Sequence, residues 1–371
     1  MVKACHLTSV HEVNDDRIYI RECSTLAKSQ KYDVYICGPD TDQEIKGVTV
    51  VGNGAKESSF FSRIARYDRK VVKTALKLNA DIYHIHDPEL LLYVKKLKKS
   101  GAKVIFDSHE DYSEQIKTKT YIPYCIRSLI AAVYKSYENH VCKIIDGVVF
   151  PCLVDGKDIF ANKTRHHALI NNVPVFEEIP KGDNHRDNLG GYVCHAGGLT
   201  PERGIEQLID GCFIAGIRLV LAGSFSGKDF EERLRSKESF SIVDYKGQCS
   251  RKEIMEIYKN AAMGASTILP VGQYPRIWNL PTKVYEFMMY ELPFIISDFE
   301  YCRGIVERYK FGITVDSTDP TDIARGIRQI MDNPKESLKM GRAGKKAILE
   351  DFNWNIEGEK LLNFYNLVLE N

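Results

Sequence analysis

Twice along the 371 residues, a series of short β-branched or aromatic runs alternates with longer amphipathic stretches. No other feature restricts the fold as much. A short apolar strand followed by a helix-length amphipathic segment buries both apolar faces by laying the helix on a parallel sheet. In the first series the strand pattern falls at residues 3–8, 32–37, 48–51, 82–86, 103–108 and 147–151, and the helical pattern at 16–28, 60–78, 88–98 and 123–141. In the second the strands fall at 191–195, 218–222, 241–245, 262–268, 294–297 and 312–315. Its helices fall at 204–215, 251–261, 281–290, 319–332 and 334–349. Between the series, 171–190 is polar and rich in helix breakers and reads as a linker. The expected fold class is therefore α/β, with two Rossmann-like doubly wound domains at 1–175 and 185–350. A last amphipathic helix at 353–371 is expected to return to the first domain.

Bulk properties narrow the class further. Hydrophobic residues make up 44% and charged residues 27%, an ordinary globular balance. No apolar run approaches the roughly 18 residues of a membrane-spanning helix. Met1–Lys3 lead directly into a strand pattern, without the basic, apolar and small-residue regions of a leader. A cytoplasmic protein is the expectation. The ten cysteines stand singly, with no C-x-x-C pair, which predicts buried free thiols and no metal cage.

The net charge of +1 hides an imbalance. Over residues 1–170, 26 Lys and Arg oppose 21 Asp and Glu, a net +5; the remainder carries 25 against 29, a net −4. Residues 60–78 concentrate the basic character, interleaving Arg63, Arg66, Arg69, Lys70, Lys73 and Lys77 with Phe60, Phe61, Ile64, Tyr67, Val71 and Leu76. That pattern suits peripheral contact with an anionic leaflet, and a solvated helix face is its competing reading. Lys95, Lys96, Lys98 and Lys99 add charge nearby in sequence.

Two segments carry chemistry. Gly197-Gly198-Leu199-Thr200-Pro201-Glu202-Arg203-Gly204 follows the first strand of the second series and opens a helix. Glycines there let the backbone approach a ligand, the helix N-terminus favours phosphate, and Arg203 adds a bidentate donor. Residues 279–293 begin Asn279-Leu280-Pro281-Thr282-Lys283-Val284-Tyr285-Glu286, with proline at the start of a helix. Lys283 and Glu286, three apart, share one helical face, where a lysine can neutralise phosphate and a carboxylate can hold sugar hydroxyls. Taken singly, each segment also reads as a plain β–α turn or an ordinary surface pair.

Together these segments resemble the retaining glycosyltransferases of family 4, over nearly the whole chain. In the first half His11, Asp16-Arg17-Ile18, His86-Asp87-Pro88-Glu89 and Asp107-Ser108-His109-Glu110 are typical of members that build bacterial polysaccharides; in the second, Asp298-Phe299 followed by Arg303–Glu307 look like the donor-side loop after a strand, and Asp351-Phe352-Asn353-Trp354 matches the entry into the closing helix. The resemblance implies the GT-B fold, two Rossmann-like domains facing a central cleft. It implies a nucleotide-sugar donor, UDP- or GDP-linked, bound by Gly197, Gly198, Arg203, Gly223, Pro281, Thr282, Lys283 and Glu286. Catalytic roles fall to Arg203 and Lys283, which stabilise charge on the leaving diphosphate, and to His109, which meets the donor sugar and positions the acceptor hydroxyl. Glu286 would hold the ribose. A lipid-linked or saccharide acceptor is implied, with residues 121–137 bordering it, on the inner face of the plasma membrane; nucleic acid is not an expected partner.

Two positions depart from the family pattern. Gly198 stands where an arginine is usual, and Trp278 where the first of two glutamates is usual; Lys283 takes over beside the diphosphate. No cofactor and no metal are expected in the active site. Asp40-Thr41-Asp42 has metal-binding spacing but reads as a solvated turn after Gly38-Pro39, and Asp15-Asp16 as a helix cap. His84 and His86 read as structural. A non-hydrolysing nucleotide-sugar epimerase shares the fold and would need paired carboxylates. A nucleotide-sugar-binding module without turnover would also keep the cradle. A dehydrogenase is disfavoured because Thr8-Ser9-Val10-His11 follows the first strand where G-x-G-x-x-G is needed.

Overall fold

Parallel pairing dominates both halves of the computed structural model, which describes residues 1–55, 62–119, 122–180 and 190–370. The chain divides into two units: Met1–Val175 together with Trp354–Asn371, and Phe176–Asn353. Within the predicted linker, 181–189 lie outside the described residues, as do Phe60, Phe61 and Tyr121.

The first unit holds an eight-stranded sheet built from β1 (Val2–Leu7), β2 (Tyr32–Gly38), β3 (Gln43–Ile45), β4 (Val48–Gly52), β5 (Ile82–Ile85), β6 (Lys103–Asp107), β7 (Gly147–Phe150) and β8 (His167–Leu169). Their order is β3-β4-β2-β1-β5-β6-β7-β8, parallel except for the β3–β4 hairpin. Chain order therefore reverses between β1 and β5, which places a topological switch at the C-terminal ends of these two strands. One sheet face buries Cys5, Leu7, Tyr83, Ile85, Val104 and Phe106 against Val71, Val72 and Ala75 of the helix Asp68–Lys77. The opposite face carries His6 and His84, which the β1–β5 register sets side by side. Over it lie the segment Asp16–Cys23, wound as a π-helix, and the closing helix Trp354–Glu370. Trp354 Nε1 donates to Thr25 Oγ1 at 2.7 Å, and Tyr365 OH pairs with His84 Nδ1 at 2.8 Å.

The second unit has six parallel strands, β9 (Val193–Ala196), β10 (Leu219–Ala222), β11 (Val243–Gly247), β12 (Met263–Ser266), β13 (Phe294–Ser297) and β14 (Gly312–Val315). Their order is β11-β10-β9-β12-β13-β14. This is the doubly wound arrangement of dinucleotide-binding folds, with its switch point between β9 and β12. Ile205, Leu208, Ile209 and Cys212 of the helix Ile205–Ala215 and Ile323 and Ile327 of Pro320–Met331 pack on this sheet.

One reading is corrected here. Residues 303–307, taken as loop, belong to the helix Glu300–Tyr309, which buries Cys302 and Val306 on one face.

Candidate functional site

The loop after β9 and the start of the helix Thr282–Met289 meet at the switch point of the second unit. Gly197 takes φ +130°, and Gly223, after β10, takes φ +137°. A Cβ on Gly223 would stand 1.9 Å from the Gly197 carbonyl oxygen, so glycine at 223 lets the two loops touch. Gly223 thus supports the cradle from behind. Gly204, at φ +65°, caps the helix Ile205–Ala215 hard against Thr267, where a Cβ would lie 2.0 Å from the carbonyl oxygen.

Gly197 and Gly198 are exposed, and two cations converge beneath them. A Cβ on Gly197 would meet Lys283 Nζ at 3.4 Å and Arg203 Nη1 at 3.9 Å. Lys283 is 5% exposed, and neither it nor Arg203 has a carboxylate within 4.0 Å among the described residues. Lys283 Nζ lies 2.7 Å from Nε2 of His195, near the end of β9. His195 Nδ1 faces the Ala265 carbonyl at 3.0 Å. Because a carbonyl only accepts, Nδ1 carries the proton and Nε2 accepts from the lysine. Burial, and then the charge of Arg203, holds Lys283 well below the usual lysine range. Burial and Lys283 likewise keep His195 neutral. A buried lysine and a half-buried arginine, with no carboxylate beside them among the described residues and exposed backbone above, make a setting that suits an anion.

Pro281 caps the helix with extended ψ, and Thr282 is exposed at its first turn. Glu286 lies one turn further on and accepts a 2.7 Å hydrogen bond from Tyr258 OH. It lines a hollow of about 220 Å³ with Arg251, Ile254, Tyr258, Met289 and Tyr290. Neither Arg203 nor Lys283 lines it, so this hollow is separate from the two cations. Trp278 packs on Tyr301 with ring centroids 5.8 Å apart. Asp298 is held by Arg303 through two contacts of 2.7 Å.

In the first unit, His109 Nε2 lies 2.9 Å from Asp107 Oδ2, and the ring is 15% exposed. Asp107 is buried at the end of β6, gripped by Arg17 Nε at 2.7 Å and Nη2 at 2.8 Å. Burial opposes its ionisation, but Arg17 and then His109 outweigh that and hold the carboxyl well below its usual range. Beside this pair stands a second. His11 Nδ1 lies 2.8 Å from Asp87 Oδ1, with its ring centroid 4.8 Å from that of His109. Asp87 Oδ2 accepts from Thr8 Oγ1 and from the Ser9 and Val10 amides. Burial works against that carboxylate too, yet the His11 hydrogen bond brings it down to about 2. Two carboxylate-oriented imidazoles therefore share the mouth of the first sheet.

His195 is a residue that the sequence did not flag, and Arg17 one that it quoted without a role. Their roles become visible only once strand ends are aligned, since His195 stands two positions before Gly197 and Arg17 answers an aspartate 90 positions away. Asp40 and Asp42 cap their own loop, accepting from the Thr41 and Gly52 amides. Asp15 caps the π-helix through the Arg17 and Ile18 amides.

The family described as Glycosyl transferases group 1 matches residues 177–347, and the one described as Glycosyltransferase Family 4 matches residues 17–159. No curated protein matches the chain in sequence. Among solved structures, the chain is similar to sucrose-phosphate synthase from Thermosynechococcus elongatus (TM-score 0.75, 14% identity, all of both chains). It is also similar to a glycosyltransferase from Rickettsia africae (0.71, 12%, all of this chain and 99% of that one). The Anabaena protein HepE, solved with UDP and glucose, is a third (0.68, 13%, 99% and 100%). With the doubly wound sheets and the cationic glycine loop, these matches establish that the chain belongs to the family 4 glycosyltransferases of the GT-B fold.

Proposed function

We propose that the protein transfers a sugar, with retention at the anomeric carbon, from a UDP- or GDP-linked donor to a lipid-linked or saccharide acceptor in cell-surface polysaccharide assembly. The observation that carries this reading is the pairing of buried Lys283 with half-buried Arg203, without a carboxylate partner among the described residues, under the exposed Gly197–Gly198 backbone. A diphosphate supplies the missing negative charge, and the same cations stabilise the charge that grows as it leaves. Side chains meet that charge here, so the transfer itself is assigned no metal and no cofactor. Glu286 takes the ribose side of the donor, and its hollow takes the adjoining nucleoside. His109, oriented by Asp107, is assigned to the sugar and the acceptor hydroxyl. Similar proteins solved with UDP support a nucleotide-sugar donor.

Membrane contact is assigned to the helix Tyr124–Cys142, on the inner face of the plasma membrane. Tyr124, Ile126, Leu129, Ile130 and Val133 are exposed along it, with Tyr124 86% and Leu129 65% accessible. By contrast Tyr67, Val71, Val72 and Ala75 of the basic segment face the core, leaving mostly cations outside. Those cations attract an anionic surface, and the apolar strip gives it something to bury.

The test is donor-dependent transfer, with the product anomer read by NMR. UDP- or GDP-sugars are expected to raise the melting temperature. Arg203→Ala is expected to lower kcat/KM by about 10²–10³-fold without changing the fold. Donor epimerised in the absence of acceptor, binding without turnover, or an inverted product would each refute the proposal.

A further inference from the structure

His6, Glu22, His84 and His86, four side chains without a part in glycosyl transfer, meet in the interior of the first unit, and none is exposed. The β1–β5 register puts His6 beside His84, His86 follows two residues later, and Glu22 comes down from the π-helix Asp16–Cys23. Nδ1 of His6, Nδ1 of His84 and Nε2 of His86 stand 3.9, 3.7 and 4.0 Å from a single oxygen, Glu22 Oε2.

Hydrogen-bond directions in this cluster follow from its one fixed end. Asp107 accepts from His86 Nδ1 at 3.2 Å, so His86 Nε2 is a bare lone pair that accepts from His6 Nδ1 at 2.8 Å. His6 Nε2 then accepts from Tyr365 OH at 3.2 Å, and the Tyr365 oxygen accepts from His84 Nδ1 at 2.8 Å. Every donor is used, yet both Glu22 oxygens and His84 Nε2 receive no aligned hydrogen bond. Arg17 Nε approaches Glu22 Oε1 to 3.3 Å, but its guanidinium is committed to Asp107, the Ile170 carbonyl and Asn172. A buried carboxyl with unpartnered oxygens, ringed by three imidazole nitrogens, gathers ligand atoms around one point.

We propose that His6, Glu22, His84 and His86 form a structural site for a divalent cation of the zinc class. Three imidazoles and one carboxylate make a four-coordinate N₃O donor set. With bonds of about 2.0–2.1 Å, tetrahedral ligand atoms sit about 3.3 Å apart. Binding therefore draws Glu22 inward by about half an ångström, opens the short His6–His86 contact and breaks the His84–Tyr365 hydrogen bond. The His6 and His84 ring protons move from Nδ1 to Nε2, freeing the lone pairs that face the ion, so the rings release no net proton. His86 keeps its Nδ1–H bond to Asp107, the carboxylate–histidine–metal arrangement that fixes a ligating ring. Full enclosure makes the ion a fastener between β1, β5 and the π-helix. Tyr365 extends the link to the closing helix. The neighbouring group His86, Asp107 and His109 is the weaker candidate, because Arg17 already neutralises Asp107.

The test uses full-length protein. Metal content is measured by mass spectrometry, and chelated protein is then titrated with Zn²⁺ and, as a visible probe, with Co²⁺. One equivalent is expected, with the ligand-field bands of four-coordinate Co²⁺ and an upward shift in melting temperature. Glu22→Gln should lose the equivalent, and Tyr365→Phe should weaken binding about tenfold through the second shell of hydrogen bonds. The order of stabilities is diagnostic. In Zn²⁺ the wild type should melt above Glu22→Gln, and in chelator that advantage should be lost. The proposal is overturned if no equivalent binds, if binding survives Glu22→Gln, or if Zn²⁺ leaves the wild-type melting temperature unmoved.

Discussion

Lys283 illustrates how much one side chain can be asked to do. Burial and Arg203 both work against its charge, and its hydrogen-bond partner His195 is a neutral acceptor. A bound diphosphate reverses that balance and favours the ammonium form. Donor binding should therefore take up a proton, and affinity should fall as pH rises above the depressed pKa of the free protein. Calorimetry of a UDP- or GDP-sugar in buffers of different ionisation enthalpy, repeated over a series of pH values, would register the uptake, and Lys283→Arg should abolish it; a wild-type value of zero across the series would contradict the assignment. Asp68 presents the opposite case. Burial pushes its carboxyl up to about 6, and neither oxygen has a hydrogen bond. The folded state thus holds this proton more tightly than the unfolded chain, and stability from this group is lost as pH climbs from about 4 through 6. Asp68→Asn should match the wild type at pH 4 and exceed it by about 2 kcal/mol at pH 8, as urea denaturation at the two pH values would show.

At the level of elements, the strands were legible because β-branched runs bounded by glycine or polar residues have few alternative uses. β13 and β14 fall at 294–297 and 312–315, where the pattern placed them. Helices with a thin apolar face were harder to see. Lys228–Arg235 buries only Phe230 and Leu234, and Glu300–Tyr309 only Cys302 and Val306, so each carries a single i,i+4 signal inside a charged segment. The site residues divide in the same way. Arg203 and Lys283 lie in local motifs, whereas His6, His84 and Glu22 meet through strand register, which no spacing along the chain encodes. The helix Tyr124–Cys142 adds a prediction of its own. Leu129 and Val133 are one turn apart and 65% and 62% exposed, so replacing both by glutamate removes little from the core. Stability should move by less than about 0.5 kcal/mol, while sedimentation with anionic vesicles should drop at least tenfold; vesicle binding equal to wild type would move the membrane contact elsewhere.

For the molecule as a whole, the two units differ in how they use the chain. The second unit is one continuous stretch, Phe176–Asn353, and contains Arg203, Lys283, His195 and Glu286 together. The first is discontinuous, completed by Trp354–Glu370, whose Trp354, Leu361, Phe364, Tyr365 and Val368 are buried. Gly147 shows how close that docking is, since a Cβ there would come within 2.5 Å of Phe364 Cζ. Removing the closing helix exposes the apolar surface under Phe364 and Val368, and it deprives His6 and His84 of the Tyr365 hydroxyl. Each buried aromatic or aliphatic side chain contributes about 1.5–3 kcal/mol, so the loss is comparable to the whole stability of a domain of this size. A chain ending at Asn353 should therefore keep the cooperative melting transition of the second unit, with its upward shift in UDP or GDP, and lose that of the first. Hydrogen exchange read peptide by peptide would locate the loss, with protection collapsing in β1, β5 and β7 and persisting in β9 to β14. Uniform collapse across both units would mean that their folding is coupled and that the nucleotide-binding half does not stand by itself.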